Sequence, residues 1–131
     1  MRTDLPPAYQ PLTLRLLAEH SKGLPDAERW RLIAEFLEDY RWETADNRSR
    51  LIAQEPAETE SVRWDVFLAA LAEHLAAQQG AGAPSWANRR FLQQFWFPFN
   101  TKAARVDALV HAPAAFRRRG VFIAPQELNV A

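Results

Sequence analysis

Two stretches of this sequence place an arginine a few residues ahead of a histidine: Arg15-Leu16-Leu17-Ala18-Glu19-His20 and Arg105-Val106-Asp107-Ala108-Leu109-Val110-His111. An arginine can hold a scissile phosphate and an imidazole can move a proton near neutral pH, so such a pair is minimal equipment for cleaving RNA. Two occurrences in 131 residues show how permissive the spacing is. The three histidines, His20, His74 and His111, fall on three different predicted elements. None forms the i, i+4 pair that a helix-borne metal site needs, so no metal ligand is assigned. Glu35, Glu38, Asp39 and Glu43 set like charges at i, i+4 along one helix face. Paired carboxylates do acid–base work when one of them is desolvated. Nothing in the sequence desolvates these, and they read as an exposed acidic face able to meet a basic partner. The chain has no cysteine, hence no thiolate zinc site, disulfide or cysteine nucleophile. Its four glycines, at 23, 80, 82 and 120, build no phosphate loop or dinucleotide fingerprint. No cofactor and no catalytic residue is expected.

The stretch Arg105 to His111 resembles the RNase motif of HEPN-domain proteins. That resemblance implies phosphate stabilisation by Arg105 and proton transfer by His111, although Val106 stands where the family carries a polar residue. A second chemistry is phosphate binding. Arg89, Arg90, Lys102, Arg105, Arg117, Arg118 and Arg119 are interleaved with Trp86, Phe91 and Trp96, which suits stacking platforms beside a basic track. The same rings also suit a core, and arginines before a terminal glycine suit a helix dipole. Sixteen basic and sixteen acidic side chains leave no net charge to drive nucleic-acid binding.

The strongest positive signal concerns partners. Phe91 to Phe99 is denser in aromatic residues than one face of a short helix can bury, and Phe95, Trp96 and Phe97 are consecutive, so they cannot all face one way. Either the segment is wrapped on several sides or part of it is offered to another chain. Aromatic residues and arginine dominate binding hot spots. Trp96, Phe97 and Phe99 are therefore the candidate apolar anchors of a protein partner, with Arg117, Arg118 and Arg119 to steer and orient it.

The elements that must position these groups are predicted to be mainly α-helical: a single compact domain of about six or seven helices with at most one short strand. Leu12, Leu14, Leu16 and Leu17 follow Pro11 in a short helix that Gly23 and Pro25 end. Asp26 is the expected cap of a second helix, with Trp30, Ile33, Phe36, Leu37 and Tyr40 on one stripe. Thr44 caps a third, closed by Pro56. Thr59 or Ser61 starts a fourth, with Trp64, Phe67, Leu68, Leu71 and Leu75 on one side and Gly80 as its stop. Thr101 caps a helix carrying Val106, Leu109 and Val110. Pro113 opens another, stopped by Gly120, Val121-Phe122-Ile123 has strand character, and the residues from Pro125 suit a last helical turn.

Residues 1–80 carry a net charge of −5 and residues 81–131 a net charge of +5. The change falls at Gln78 to Pro84, a candidate linker between an acidic helical part and a basic aromatic-rich part. The halves either attract each other or give a neutral protein two faces of opposite sign. Arg29-Trp30 and Arg63-Trp64 lie 34 residues apart, a helical-repeat period, but two units fall short of a solenoid. The length suits one domain, the 48% hydrophobic content excludes disorder, and no apolar run spans a bilayer. MRTDLPPAYQ lacks the apolar stretch of a signal peptide, so a cytoplasmic location is expected.

Three strings, Arg63-Trp64-Asp65-Val66-Phe67-Leu68-Ala69-Ala70-Leu71-Ala72-Glu73-His74-Leu75, Phe91-Leu92 through Phe97-Pro98, and Ala108-Leu109-Val110-His111-Ala112-Pro113-Ala114-Ala115-Phe116-Arg117-Arg118-Arg119-Gly120-Val121-Phe122-Ile123, resemble a group of small actinobacterial proteins. Some members of that group carry an added N-terminal helix-turn-helix, and no convincing one is read in this sequence. The resemblance covers roughly residues 62–124. It implies the antitoxin-like or regulatory member of a two-protein system, found beside nucleotidyltransferase-like proteins and blocking a toxin-like partner. It carries no catalytic residue over.

Overall fold

The structure is a computed structural model that describes residues 11–128. The MRTDLPPAYQ segment and the last three residues of the chain lie outside the described residues. Six α-helices follow one another: α1 (Leu14–Ser21), α2 (Asp26–Arg41), α3 (Ala45–Ala53), α4 (Val62–Gln78), α5 (Lys102–His111) and α6 (Ala114–Arg117). Two 3-10 turns, Ser85–Arg89 and Pro125–Leu128, complete the set. The fold is mainly helical, a compact single domain without a strand among the described residues.

Hydroxyl caps set most of the helix starts. Thr13, Thr44, Ser61 and Thr101 accept from the backbone N–H of Leu16, Asn47, Trp64 and Ala104, satisfying donors that a helix N-terminus otherwise leaves unpaired. Thr59 has a different task. Its N–H and its hydroxyl both donate to Asp65 Oδ1, each at 2.8 Å. Asp26 is not a cap either. Pro25 takes that position, and Asp26, as the first helical residue, accepts from the indole N–H of Trp64 at 3.0 Å. A buried indole needs an acceptor, and a carboxylate in the first turn also suits the helix dipole.

The expected strand at Val121-Phe122-Ile123 contracts to one parallel bridge, Trp96 with Val121. Trp96 N–H donates to the Gly120 carbonyl at 2.8 Å, and Phe122 N–H donates to the Trp96 carbonyl at 2.9 Å. The next ladder bond would need an N–H at position 98, and Pro98 has none.

Helix α4 is the axis of the core. Eleven of its seventeen residues are buried, adding Val66, Ala69, Ala70, Ala72 and Ala76 to the stripe expected from periodicity. A helix apolar on nearly every side must be surrounded, and α6 and the Ser85–Arg89 turn pack against it. One continuous core runs from Leu12 to Leu128 and draws on both charge halves. The candidate linker from Gln78 to Pro84 is thus the end of α4 and a turn, with Gly80 at φ +73°, that leads the chain back to the same core through Trp86. The opposed charges meet there: Glu55 pairs with Arg89 and Arg90, and Glu73 with Arg118 and Arg119.

Candidate interaction surface

The six residues expected to contact a partner separate into two groups. Trp96 is buried, its ring 5.5 Å from Trp64 and 6.4 Å from Phe67, as the bridge to Val121 turns it inward. Arg119 is fully sealed. Its Nη1 donates to Glu73 Oε1 and to the Ala115 carbonyl (3.0 Å), and its Nη2 to the Ala87 carbonyl (3.0 Å). Both were expected at a contact surface and both are interior instead. Arg119 tolerates burial because a carboxylate and two carbonyls replace its hydration, while its Nε has no partner among the described residues. Phe99 is half-buried against Trp30, with ring centres 5.0 Å apart. Phe97 is half-buried and stacked on Phe122 at 5.2 Å, with the Arg105 guanidinium 4.9 Å from its ring. Arg117 and Arg118 are exposed. Arg118 donates to Glu73 Oε1 (3.0 Å) and Asn88 Oδ1 (3.3 Å), whereas Arg117 donates to the Leu109 carbonyl (2.7 Å) and lies over Phe122.

Neighbouring residues supply the exposed apolar surface. Val106, Leu109 and Val110 on α5 are 55%, 49% and 64% exposed, and Phe95 is 69% exposed. Ala108 is the buried residue of α5, and with Ala112 and Phe122 it forms a small satellite cluster apart from the main core. At about 100° per residue, Ala104, Ala108 and Ala112 mark the inward side and Leu109, Val106 and Val110 cover an outward arc of about 100°. Phe95 joins this region through its edge contact with Phe122 (4.9 Å), and Arg117 bridges Phe122 to Leu109. Among the described residues Lys102, Arg105 and Arg117 have no carboxylate partner, so three exposed cations flank the apolar arc.

The other candidate chemistries do not assemble. Arg105 lies on Phe97, while His111 Nδ1 contacts Asp107 Oδ1 at 2.8 Å; six residues apart, the two point about 120° away from each other around the helix. Hydrogen bonds from His111 and Gln126 hold Asp107 below the usual carboxylate range. Arg15 is engaged by Glu19 and Gln54. On the acidic face, hydrogen bonds from Trp42 and Arg41 lower Glu38, the opposite of what a general acid needs. Asp39 accepts from the Leu12 N–H and Glu43 from Asn47. Burial lowers His74, whose ring lies 5.7 Å from Phe116. Arg89, Arg90, Arg118 and Arg119 are all committed to carboxylates, which removes most of the expected phosphate track. No group of three or more metal-ligating residues occurs among the described residues, and no described helix is long and apolar enough to cross a membrane.

No protein-family model matches the chain, and comparisons with curated proteins and with solved structures likewise return no match.

Proposed function

We propose that the chain is a protein-interaction module that docks through the outer face of α5. The observation that carries this reading is the outward arc of Val106, Leu109 and Val110 on a helix that buries little besides Ala108. A solvated helix would put polar residues there; contiguous apolar exposure marks a surface to be covered. Lys102, Arg105 and Arg117, without a carboxylate partner among the described residues, select the occupant: a protein with an apolar groove edged by carboxylates, engaged as a helix in a groove. Phe95, with Phe97 beside it, extends the apolar anchor.

The finer reading, an antitoxin-like or regulatory member of a two-protein system that blocks a toxin-like and possibly nucleotidyltransferase-like partner, is supported by the resemblance of residues 62–124. Co-expression with the product of the adjacent gene tests it. The pair is expected to co-purify and the partner's growth arrest to be relieved, and both effects should disappear with Val106→Ser/Leu109→Ser/Val110→Ser. A harmless neighbour, or a pair that never associates, defeats the antitoxin reading. Self-association of the chain through this face would replace the partner by a second copy. Salt-sensitive RNA binding, weakened by neutralising Arg117 and Arg118, would favour the nucleic-acid reading instead.

A further inference from the structure

A concavity lies away from α5, where the C-terminal ends of α2 and α4 meet α3 and the segment after Gly80. Its volume is ≈ 260 Å³. Tyr40, Ile52 and Ala76, all buried, form its floor; Gly82 lies along its wall; Ser49, Gln79 and Ser85, all exposed, supply a polar rim. No lining residue carries a charge at neutral pH. The nearby guanidinium of Arg48, 5.2 Å from the Tyr40 ring, spends its donors on the carbonyls of Tyr40 and Arg41. The neighbouring Ile52 carbonyl is taken by the Trp86 indole.

One polar group on the floor is under-used. The Tyr40 hydroxyl reaches the Leu75 carbonyl at 3.4 Å, well beyond the 2.7–2.8 Å usual for a hydroxyl donor. Burial pushes this phenol above its ordinary range, so it stays protonated and able to donate. An apolar hollow with a few convergent polar groups is the ordinary form of a small-ligand site. A cavity of about 150 Å³ already admits benzene, so this one admits a ring carrying a substituent.

We propose that this hollow is a binding site for a small, uncharged, mainly apolar molecule that presents one hydrogen-bonding group to Tyr40 Oη. The absence of charged lining disfavours ions, and the polar rim orients the ligand without excluding it.

The test is a heteronuclear NMR titration of the whole chain with benzyl alcohol and indole as neutral probes, and benzoate and benzylammonium as charged counterparts. The neutral probes are expected to give saturable shifts at Ala53, Ala81, Gly82 and Ser85, and the charged ones much weaker shifts. Tyr40→Phe should weaken benzyl alcohol binding about two- to tenfold, the value of one hydrogen bond. Gly82→Leu, which needs no left-handed backbone and whose new Cβ meets nothing within 4 Å, should fold and weaken binding by crowding the wall of the hollow. Non-saturable shifts, equal binding by charged probes, undiminished binding in Gly82→Leu, or shifts centred on Val106 to Val110 would each overturn the proposal.

Discussion

The rings around α4 and the rings beside α5 come from one aromatic-rich sequence and meet opposite fates. Around α4, Trp30, Trp64, Phe67, Trp96 and Phe116 form a continuous set of edge and tilted contacts, with Phe67 and Phe116 fully enclosed. Beside α5, Phe97 and Phe122 stack under guanidinium groups, Phe95 stays exposed, and the helix turns its valines outward. The first region stabilises the monomer. The second leaves apolar side chains exposed over a small buried cluster, and it is the surface we propose a partner covers. The difference lies in what closes over each: two or more helices around α4, and a short bridge and an alanine stripe beneath α5.

The comparison breaks most visibly at Phe67. Phe67→Ala leaves a cavity beneath Trp30, Trp64 and Phe116 and is expected to cost about 3–5 kcal/mol in denaturant unfolding. Glu73→Ala comes next, at about 3 kcal/mol, because it leaves the sealed Arg119 guanidinium without its counter-charge. Adding Arg119→Met should recover part of that loss, since an apolar side chain has no charge to compensate. Gly120→Ala is expected to cost about 1–2 kcal/mol. Its φ is +86° and a new Cβ would sit 3.3 Å from Leu92 Cβ, under the bridge that aims Trp96 inward.

Acid sharpens the same contrast. Burial tends to raise Glu73, but hydrogen bonds from Arg119 and Arg118 outweigh it and hold the carboxyl below its ordinary value. Its folded pKa is depressed, so its contribution is complete above that ordinary value and is lost as pH falls through the folded one. His74 is lowered by burial, so the fold prefers neutral imidazole; its contribution is complete above the ordinary 6.5 and declines as pH falls below it. Stability should therefore fall on acidification in two stages, and His74→Leu should remove the upper one in melts recorded from pH 7 to 5. The smallest stability effects belong to α5: Val106→Ser, Leu109→Ser and Val110→Ser should each shift stability by no more than about 0.5 kcal/mol.

Much of the framework was legible before any coordinates. The caps at Thr44 and Thr101 follow from hydroxyls placed ahead of helix-period runs, the start of α4 narrows to Thr59 or Ser61, and its stripe follows from its spacing. That Phe95, Trp96 and Phe97 cannot share a side is also a matter of local geometry. Which of them points inward is not, because that depends on a bridge to Val121, 25 residues further on. The burial of Arg119 depends on Glu73, 46 positions away, and on carbonyls of other turns. The outward valines of α5 had a local signal that hydrophobicity alone obscures. Ala104, Ala108 and Ala112 recur every four residues, and small residues at that spacing let a helix approach its neighbour closely while larger ones project away.

The central claim is that the outer face of α5, and not the aromatic core, is the surface a protein partner covers. Calorimetric titration of the adjacent gene's product with the wild-type chain and with Val106→Ser/Leu109→Ser/Val110→Ser tests it directly, with thermal melts of both chains alongside. Affinity is predicted to fall at least thirtyfold, or about 2 kcal/mol, while the melts differ by a few degrees at most. Undiminished affinity of a folded triple variant would contradict it.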